Sequence, residues 1–233
     1  GMIINMRSLN KNFFYLLGLI ASDGNNTREK KTARYTRIKF HNENESLINQ
    51  FLNTYKKLFP DTPISKKKIK PNFFQIDASN SFLATISASL GVKSPQKDSD
   101  LLPLLNMHKN SIKAFLRGYF DGDGSAYYKK TPGNYKTKIC LHTISYKVAT
   151  RLHKMLLKVG IPNKIFQRSS LPSSITKIGY KYYDVTIGNI AAEKKFCKEI
   201  VTMHPEKANK FKKILRLKYD TEVDSHYYIG LHF

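Results

Sequence analysis

A nine-residue stretch that occurs twice, in register, limits what this chain can fold into more than any other feature. Leu16 to Gly24 reads L-L-G-L-I-A-S-D-G, and Leu116 to Gly124 reads L-R-G-Y-F-D-G-D-G. Laid over each other, they agree at Leu16 and Leu116, Gly18 and Gly118, Asp23 and Asp123, and Gly24 and Gly124. Each looks like an apolar helix that ends in an acidic residue and a glycine, the usual terminator because it takes positive φ without strain. Small residues recur four apart, Gly18 with Ser22 and Gly118 with Gly122, on one helical face. Such faces let two helix backbones approach closely. Packed in parallel, the helices would bring Asp23 beside Asp123, and two adjacent carboxylates repel unless something positive lies between them. A hard divalent cation with oxygen ligands suits that place. The bland alternative, a pair of helix-end turn residues, is disfavoured because a helix C-terminus repels a carboxylate.

The surroundings of the two copies also repeat. In the first half, Asn10 caps a helix over Lys11 to Ser22. A strand over Arg34 to His41 follows, with Ile38 and Phe40 inward and Tyr35, Arg37, Lys39 and His41 outward. Then come a helix from Glu45 to Phe59, a basic run from Ser65 to Lys70, a strand from Phe73 to Ala78 and a helix from Ser81 to Leu90. The second half repeats the order with a helix over Ser111 to Gly122 and a strand over Lys136 to His142. In that strand Ile139 and Leu141 point inward, and Lys136, Lys138, Cys140 and His142 point outward. A helix from Tyr146 to Val159, a strand from Tyr180 to Ile187 and a helix from Ile190 to Ile200 complete it. The expectation is an α+β protein of two pseudosymmetric αββαββα halves, with antiparallel saddle-shaped sheets and the motif helices packed at the interface. The halves are placed at 1–98 and 110–220, joined by a linker at 99–109 and followed by a tail at 221–233.

Charge narrows the partner. Forty Lys and Arg against 17 Asp and Glu give a formal charge of +23 and a pI near 9.9, which calls for a polyanion. Nucleic acid is favoured over a membrane, since no run approaches the ~20 apolar residues a membrane helix needs. Cys140 and Cys197 are isolated, so they build no disulfide framework and show no spacing that signals zinc. With no signal peptide visible, the chain reads as intracellular: cytoplasm or nucleoid of a prokaryote, or an organelle matrix.

Both nonamers resemble the LAGLIDADG motif of homing endonucleases, in the single-chain form with two motifs, and the likeness spans roughly Asn10 to Leu217. The first copy departs from the family name at Ala21, where an acid often stands, and at Ser22, which replaces Ala or Gly. The resemblance implies a monomer that makes double-strand breaks in a long, non-palindromic duplex, with Mg²⁺ as cofactor and Mn²⁺ or Ca²⁺ able to stand in. It implies metal ligation by Asp23 with the Ser22 carbonyl and by Asp123 with the Gly122 carbonyl. It gives His41 and His142 a role in ordering water near the scissile phosphate. Lys93, in a G-V-K-S segment with Lys97 as a rival, and Lys207 would contact that phosphate region. The outward strand residues Tyr35, Arg37, Lys39, Gln75, Asp77, Lys136, Lys138, Lys181, Asp184 and Thr186 are of types that read base edges in a major groove. Lys66, Lys68 and Lys70 suit phosphates. An intron-encoded enzyme is the expected biology. An RNA maturase acting on its own intron RNA and a non-cleaving DNA-binding regulator are the alternatives.

Overall fold

Polar caps start most of the helices. Asn10 Oδ1 accepts from the Phe13 amide at 3.0 Å and opens α1 (Lys11–Asp23). Asn44 opens α2 (Glu45–Leu58), and Asn80 opens α3 (Ser81–Ser89). In the second half α4 (Lys109–Asp123) starts after His108, and Ser145 opens α5 (Tyr146–Lys158). Asn189 opens α6 (Ile190–Ile200), and α7 (Pro205–Leu215) begins with proline at its first turn. Asn80 and Asn189 are the same cap in the two halves. The computed structural model describes residues 10–28, 35–172 and 178–217. The expected tail at 221–233 lies outside them.

Among the described residues, eight strands lie between the helices: β1 (Gly24–Arg28), β2 (Tyr35–Asn42), β3 (Ile64–Lys70), β4 (Phe73–Ala78), β5 (Gly124–Thr131), β6 (Asn134–Thr143), β7 (Asn163–Ser169) and β8 (Lys181–Ile187). They form two antiparallel sheets of the same order, β1-β2-β4-β3 and β5-β6-β8-β7. Each half is therefore αββαββα, as expected, and the basic run at Ser65–Lys70 belongs to edge strand β3. The segment between the halves contains two short 3₁₀ turns, Gln96–Asp98 and Leu102–Asn106, and α4 starts at Lys109.

The helices cover one face of each sheet, where Ile38, Phe40 and Ile76 in one half and Ile139, Leu141 and Val185 in the other are fully buried. The two cores merge through α1 and α4 into one cluster. These helices cross where both sequences have glycine. A Cβ on Gly18 would sit 2.1 Å from the Phe115 carbonyl oxygen, and one on Gly118 would sit 2.0 Å from that of Tyr15. One turn further on, a Cβ on Gly122 would lie 1.9 Å from Ser22 Oγ. The pairing of 18 with 118 and 22 with 122 makes the helices parallel, as the small-residue spacing predicts.

Gly24 and Gly124 serve a purpose other than the expected one. Both are extended, with φ of −89° and −99°, so no left-handed conformation is needed at either helix end. A Cβ on either would lie 2.5 Å from the carbonyl oxygen of Ile20 or Phe120, so the requirement is for space where helix turns directly into strand.

Candidate active site and nucleic-acid interface

Because the motif helices are parallel and in register, their last residues meet. Asp23 and Asp123 come close enough to interact directly and are half-buried. Burial, and then the charge of Asp23, push Asp123 up to about 7, against the opposing pull of His142 and Lys207. Burial also raises Asp23, although the Asn42 side chain and Lys207 favour its charged form. Asn42 Nδ2 donates to Asp23 Oδ2 at 2.9 Å. Two crowded carboxylates that resist ionising together, with oxygen donors, fit a hard divalent cation.

Lys207, from the first turn of α7, is held at the end of α4. Its ammonium donates to the carbonyls of Phe120 (2.7 Å), Asp121 (2.8 Å) and Gly122 (3.3 Å). Burial lowers its pKa, while Asp121, Asp23 and Asp123 act to raise it. The expected lysine is thus at the acidic centre, and one of the carbonyls it reaches is that of Gly122, the expected metal ligand, whose second lone pair is left for an ion. At the end of α1 the corresponding place is taken by Gln96. Its Nε2 donates to the Ala21 carbonyl at 3.2 Å and to Tyr119 Oη at 3.1 Å, and its Oε1 accepts from Thr143 Oγ1 at 3.1 Å. Lys93 is exposed after α3 with its backbone tied to Ser99, and among the described residues it makes no contact with the acidic pair. The G-V-K-S segment supplies a turn, and Gln96, three residues later, reaches the centre.

Asp121 is 1% exposed and is built into the scaffold. It accepts from Tyr15 Oη at 2.8 Å, from the Met203 amide at 3.1 Å and from Thr202 Oγ1. It thereby ties α4 to α1 and to the segment leading into α7. Burial raises its pKa, and those donors oppose the shift.

The two strand-end histidines occupy equivalent places. His41 pairs across the sheet with Gln75, and His142 pairs with Asp184. His41 Nε2 is 2.9 Å from Gln75 Oε1, and His142 Nδ1 is 2.7 Å from Asp184 Oδ1. The carboxylate partner, with Cys140 next, raises His142 to about 9, so it is cationic at neutral pH. His142 and Asp123 line a cleft of about 270 Å³ with Gln96, Thr143, Ile144, Tyr180 and Tyr182.

Strand register decides which predicted groups share the open sheet face with these histidines, since directly paired residues point the same way. Arg37, Lys39, Gln75 and Asp77 do, and Arg37 Nε lies 3.2 Å from Asp77 Oδ1. Lys136 and Lys138 do as well, paired with Lys129 and Tyr127. The side chain of Tyr35 lies outside the described residues. Lys66 and Lys68 pair with Ile76 and Phe74 and so point toward the helix side. Lys66 binds Glu45 at 2.5 Å and Asn49 at 3.3 Å, and both lysines stand over the Phe74 ring. Lys67, paired with Gln75, and Lys70, paired with Phe73 after a register shift, are the members of the run on the open face. Lys181 pairs with Ser169 on the parity of Tyr183 and Val185, again the helix side.

Asp184 and Thr186 are on the open face but only 4% and 1% exposed, so neither presents a free edge to a ligand. Asp184 instead anchors Lys138 (3.2 Å), Arg168 (3.4 Å) and His142. Against the opposing effect of burial, His142 and Lys138 hold its carboxyl down at about 2. Arg168 and Lys164, paired with Tyr182 and Thr186, complete the basic face. Sequence alone does not mark them, because the chain around Asn163 shows no clean alternation from which a strand would be read.

Residues 110–201 match the family model described as a LAGLIDADG-like domain. Curated relatives that align with most of this chain include two with unrelated names. One is the replication factor C small subunit of Methanocaldococcus jannaschii, 27% identical over 92% of this chain and 11% of its own length. The other is a subunit of the A-type ATP synthase of Methanopyrus kandleri, 26% identical over 85% of this chain and 17% of its own length. The chain thus spans less than a fifth of the length of either. Among solved structures, I-DmoI in complex with DNA and Ca superposes with a TM-score of 0.57 at 18% identity, covering 85% of this chain and 96% of that one. The same protein with DNA and Mn gives 0.55 at 18% identity, covering 82% and 96%. At that identity the likeness establishes the fold.

Proposed function

We propose that this chain, a two-motif LAGLIDADG protein, is an endodeoxyribonuclease that binds a long double-stranded DNA site along its two sheets and cuts both strands at the acidic pair. The observation that carries this reading is the meeting of Asp23 and Asp123 at the helix crossing, between two sheet faces rich in Lys and Arg. The solved complexes of I-DmoI with DNA and with Ca or Mn support it as fold relatives. Asp23 and Asp123 would hold the divalent cation, Mg²⁺ first and Mn²⁺ or Ca²⁺ in its place. When bound, that cation supplies Lewis-acid stabilisation of the charge that develops in phosphodiester hydrolysis.

The chain's own residues do the rest. Asn42 orients Asp23, and Lys207 balances the negative charge of the centre while fixing the end of α4. His142, held cationic by Asp184, faces the cleft beside Asp123 and is placed to engage a phosphate oxygen. His41, bonded to neutral Gln75, holds the corresponding place in the other half and suits the ordering of water.

The biology we propose is a mobile element. The matching stretch makes up a small part of two relatives that bear unrelated names, which is the pattern left by an insert. It supports residence inside a host protein more than the intron-borne origin expected from the sequence.

A selection from a random duplex library tests the activity directly, with wild type and the Asp23→Asn/Asp123→Asn double variant in Mg²⁺. Recovery of double-strand breaks at one site with wild type alone is expected. A library that wild type binds but leaves uncut would instead identify a non-cleaving DNA-binding protein.

A further inference from the structure

We propose that the second half carries a soft-metal site of the zinc class, with Cys140 Sγ and His142 Nε2 as ligands and Ser125 Oγ as a third donor. Asp184 grips the far nitrogen of the imidazole.

Strand register builds this cluster. Ser125 and Cys140 are direct partners across β5 and β6, and His142 and Asp184 are direct partners across β6 and β8. Cys140 and His142 are two apart on β6 and therefore on one face. The three donor atoms form a compact triangle. Sγ lies 3.5 Å from Nε2, Oγ lies 3.1 Å from Sγ, and Oγ lies 2.9 Å from Nε2. A tetrahedral zinc ion bonded at ~2.3 Å to sulfur and ~2.0 Å to nitrogen sets those two atoms about 3.5 Å apart. The serine edges require roughly half an ångström of spreading, which a small rotation of Ser125 about χ1 supplies.

Asp184 supplies what a histidine ligand needs on its other side. Its Oδ1 is 2.7 Å from Nδ1, which fixes that nitrogen as a donor and leaves Nε2 for the metal. Cys140, Asp184 and His142 also form a group whose ligand atoms lie within 4.8 Å of one another. Asp184 and Cys140 bind opposite nitrogens of the ring, so the carboxylate orients the ligand and does not join the coordination. Cys140 is 1% exposed, but the His142 side chain is 37% exposed and gives an ion a way in from the sheet face.

The first half provides an internal contrast. At the places of Ser125, Cys140, His142 and Asp184 it has Asn25, Lys39, His41 and Gln75. An ammonium replaces the thiol and a neutral amide replaces the carboxylate, so nothing there would select a soft ion. The acidic pair, all oxygen, suits a hard cation. Two sites of opposite ligand character thus share one protein. Zinc bound at Cys140 and His142 would withdraw that imidazole from the cleft beside Asp123. On the nuclease reading, it would slow cleavage.

Cobalt(II) reports the ligands directly. Titrating the metal-free full chain with Co²⁺ should give the near-ultraviolet sulfur-to-cobalt charge-transfer band and the strong visible bands of tetrahedral cobalt. Both should be lost on adding Zn²⁺. Cys140→Ser should abolish the charge-transfer band, and Cys197→Ser should keep it. Asp184→Asn should weaken the apparent affinity ~10–100-fold. Far-ultraviolet circular dichroism of each variant reports folding, and His142→Asn gives a second ligand deletion should Cys140→Ser unfold. A wild-type titration with no charge-transfer band, or one unchanged by Cys140→Ser, overturns the site. These spectra need no cleavage, so they stand apart from the nuclease reading. In a cleavage assay, one equivalent of Zn²⁺ should slow wild type and leave Cys140→Ser insensitive; equal slowing of both would overturn the link to the cleft.

Discussion

At the residue scale, the acidic pair and a third, fully buried acid make separable predictions. Asp123→Asn or Asp23→Asn removes a candidate metal ligand and adds no clash, so double-strand cleavage should disappear while affinity for the duplex stays within a few fold. Gel-based cleavage beside fluorescence anisotropy checks both parts, and cutting by the double variant in Mg²⁺ would refute the assignment. Glu193, on α6, has no such role. It is 1% exposed, and although Thr137 and the Ile139 amide approach it, neither oxygen reaches hydrogen-bonding geometry. Burial raises its carboxyl from 4.5 to about 7. An acid whose pKa is higher when folded stabilises fully below its unfolded pKa. That contribution is lost as pH rises from about 4.5 to about 7. The loss is of order 3 kcal/mol. Glu193→Gln should therefore flatten this part of the stability profile and raise the denaturation midpoint at pH 8 but not at pH 4.5. Urea titrations at both pH values would show it, and equal midpoints at pH 8 would contradict it.

At the element scale, the crossing of α1 and α4 controls both stability and the site. Gly18 and Gly118 face each other's backbone, and backbone cannot swing aside as a flexible side chain can. Gly118→Ala should cost about 3 kcal/mol or more, beyond the usual range for one added methyl group in a core. It should also separate the acidic pair, so cleavage at a temperature where the variant is still folded should fall more steeply than the folded fraction. Thermal unfolding together with cleavage at 20 °C measures both; a variant as stable and active as wild type would mean the helices do not pack this closely. The same crossing explains two capping arrangements. Lys207 on one helix end and Gln96 on the other satisfy carbonyls that a tight, buried helix terminus would leave without partners.

At the scale of the whole molecule, two sheets of the same strand order carry different side chains on their open faces. Arg37 has Lys138 as its counterpart, whereas the places of Lys39 and Gln75 are held in the other half by Cys140 and Asp184, which are buried and offer no edge to a base. Base contacts follow side-chain identity, so the halves should read different sequences, and one chain should occupy one non-palindromic duplex. Sedimentation of the complex should give a single protein per duplex; two proteins on a palindrome would overturn the reading. If ~6–10 phosphates are contacted, raising salt from 50 to 200 mM should lower affinity ~10³–10⁵-fold. A nearly flat dependence in fluorescence anisotropy would count against the basic faces as the binding surface.

The duplication made the architecture legible. Apolar periodicity, small residues four apart and repeated caps are local patterns, and two copies in register leave little freedom in how the halves combine. From Gly18, Gly118, Asp23 and Asp123 alone, the parallel crossing and the paired carboxylates followed. Facing was less legible, because a side chain's direction on an edge strand depends on register with its neighbour. Lys66, Lys68 and Lys181 look like open-face cations in sequence, but their partners turn them, still exposed, toward the helix side of the sheet. Lys93 and Gln96 are three residues apart, yet only the path of the loop sends Gln96 to the centre. Asp184 and Thr186 alternate correctly for the open face and are still covered, because the side chains around them fill the space above. The cluster of Ser125, Cys140, His142 and Asp184 comes from three strands and has no signature spacing. Periodicity along one strand records which face a residue is on; what stands beside it across the sheet is decided only when the strands pair.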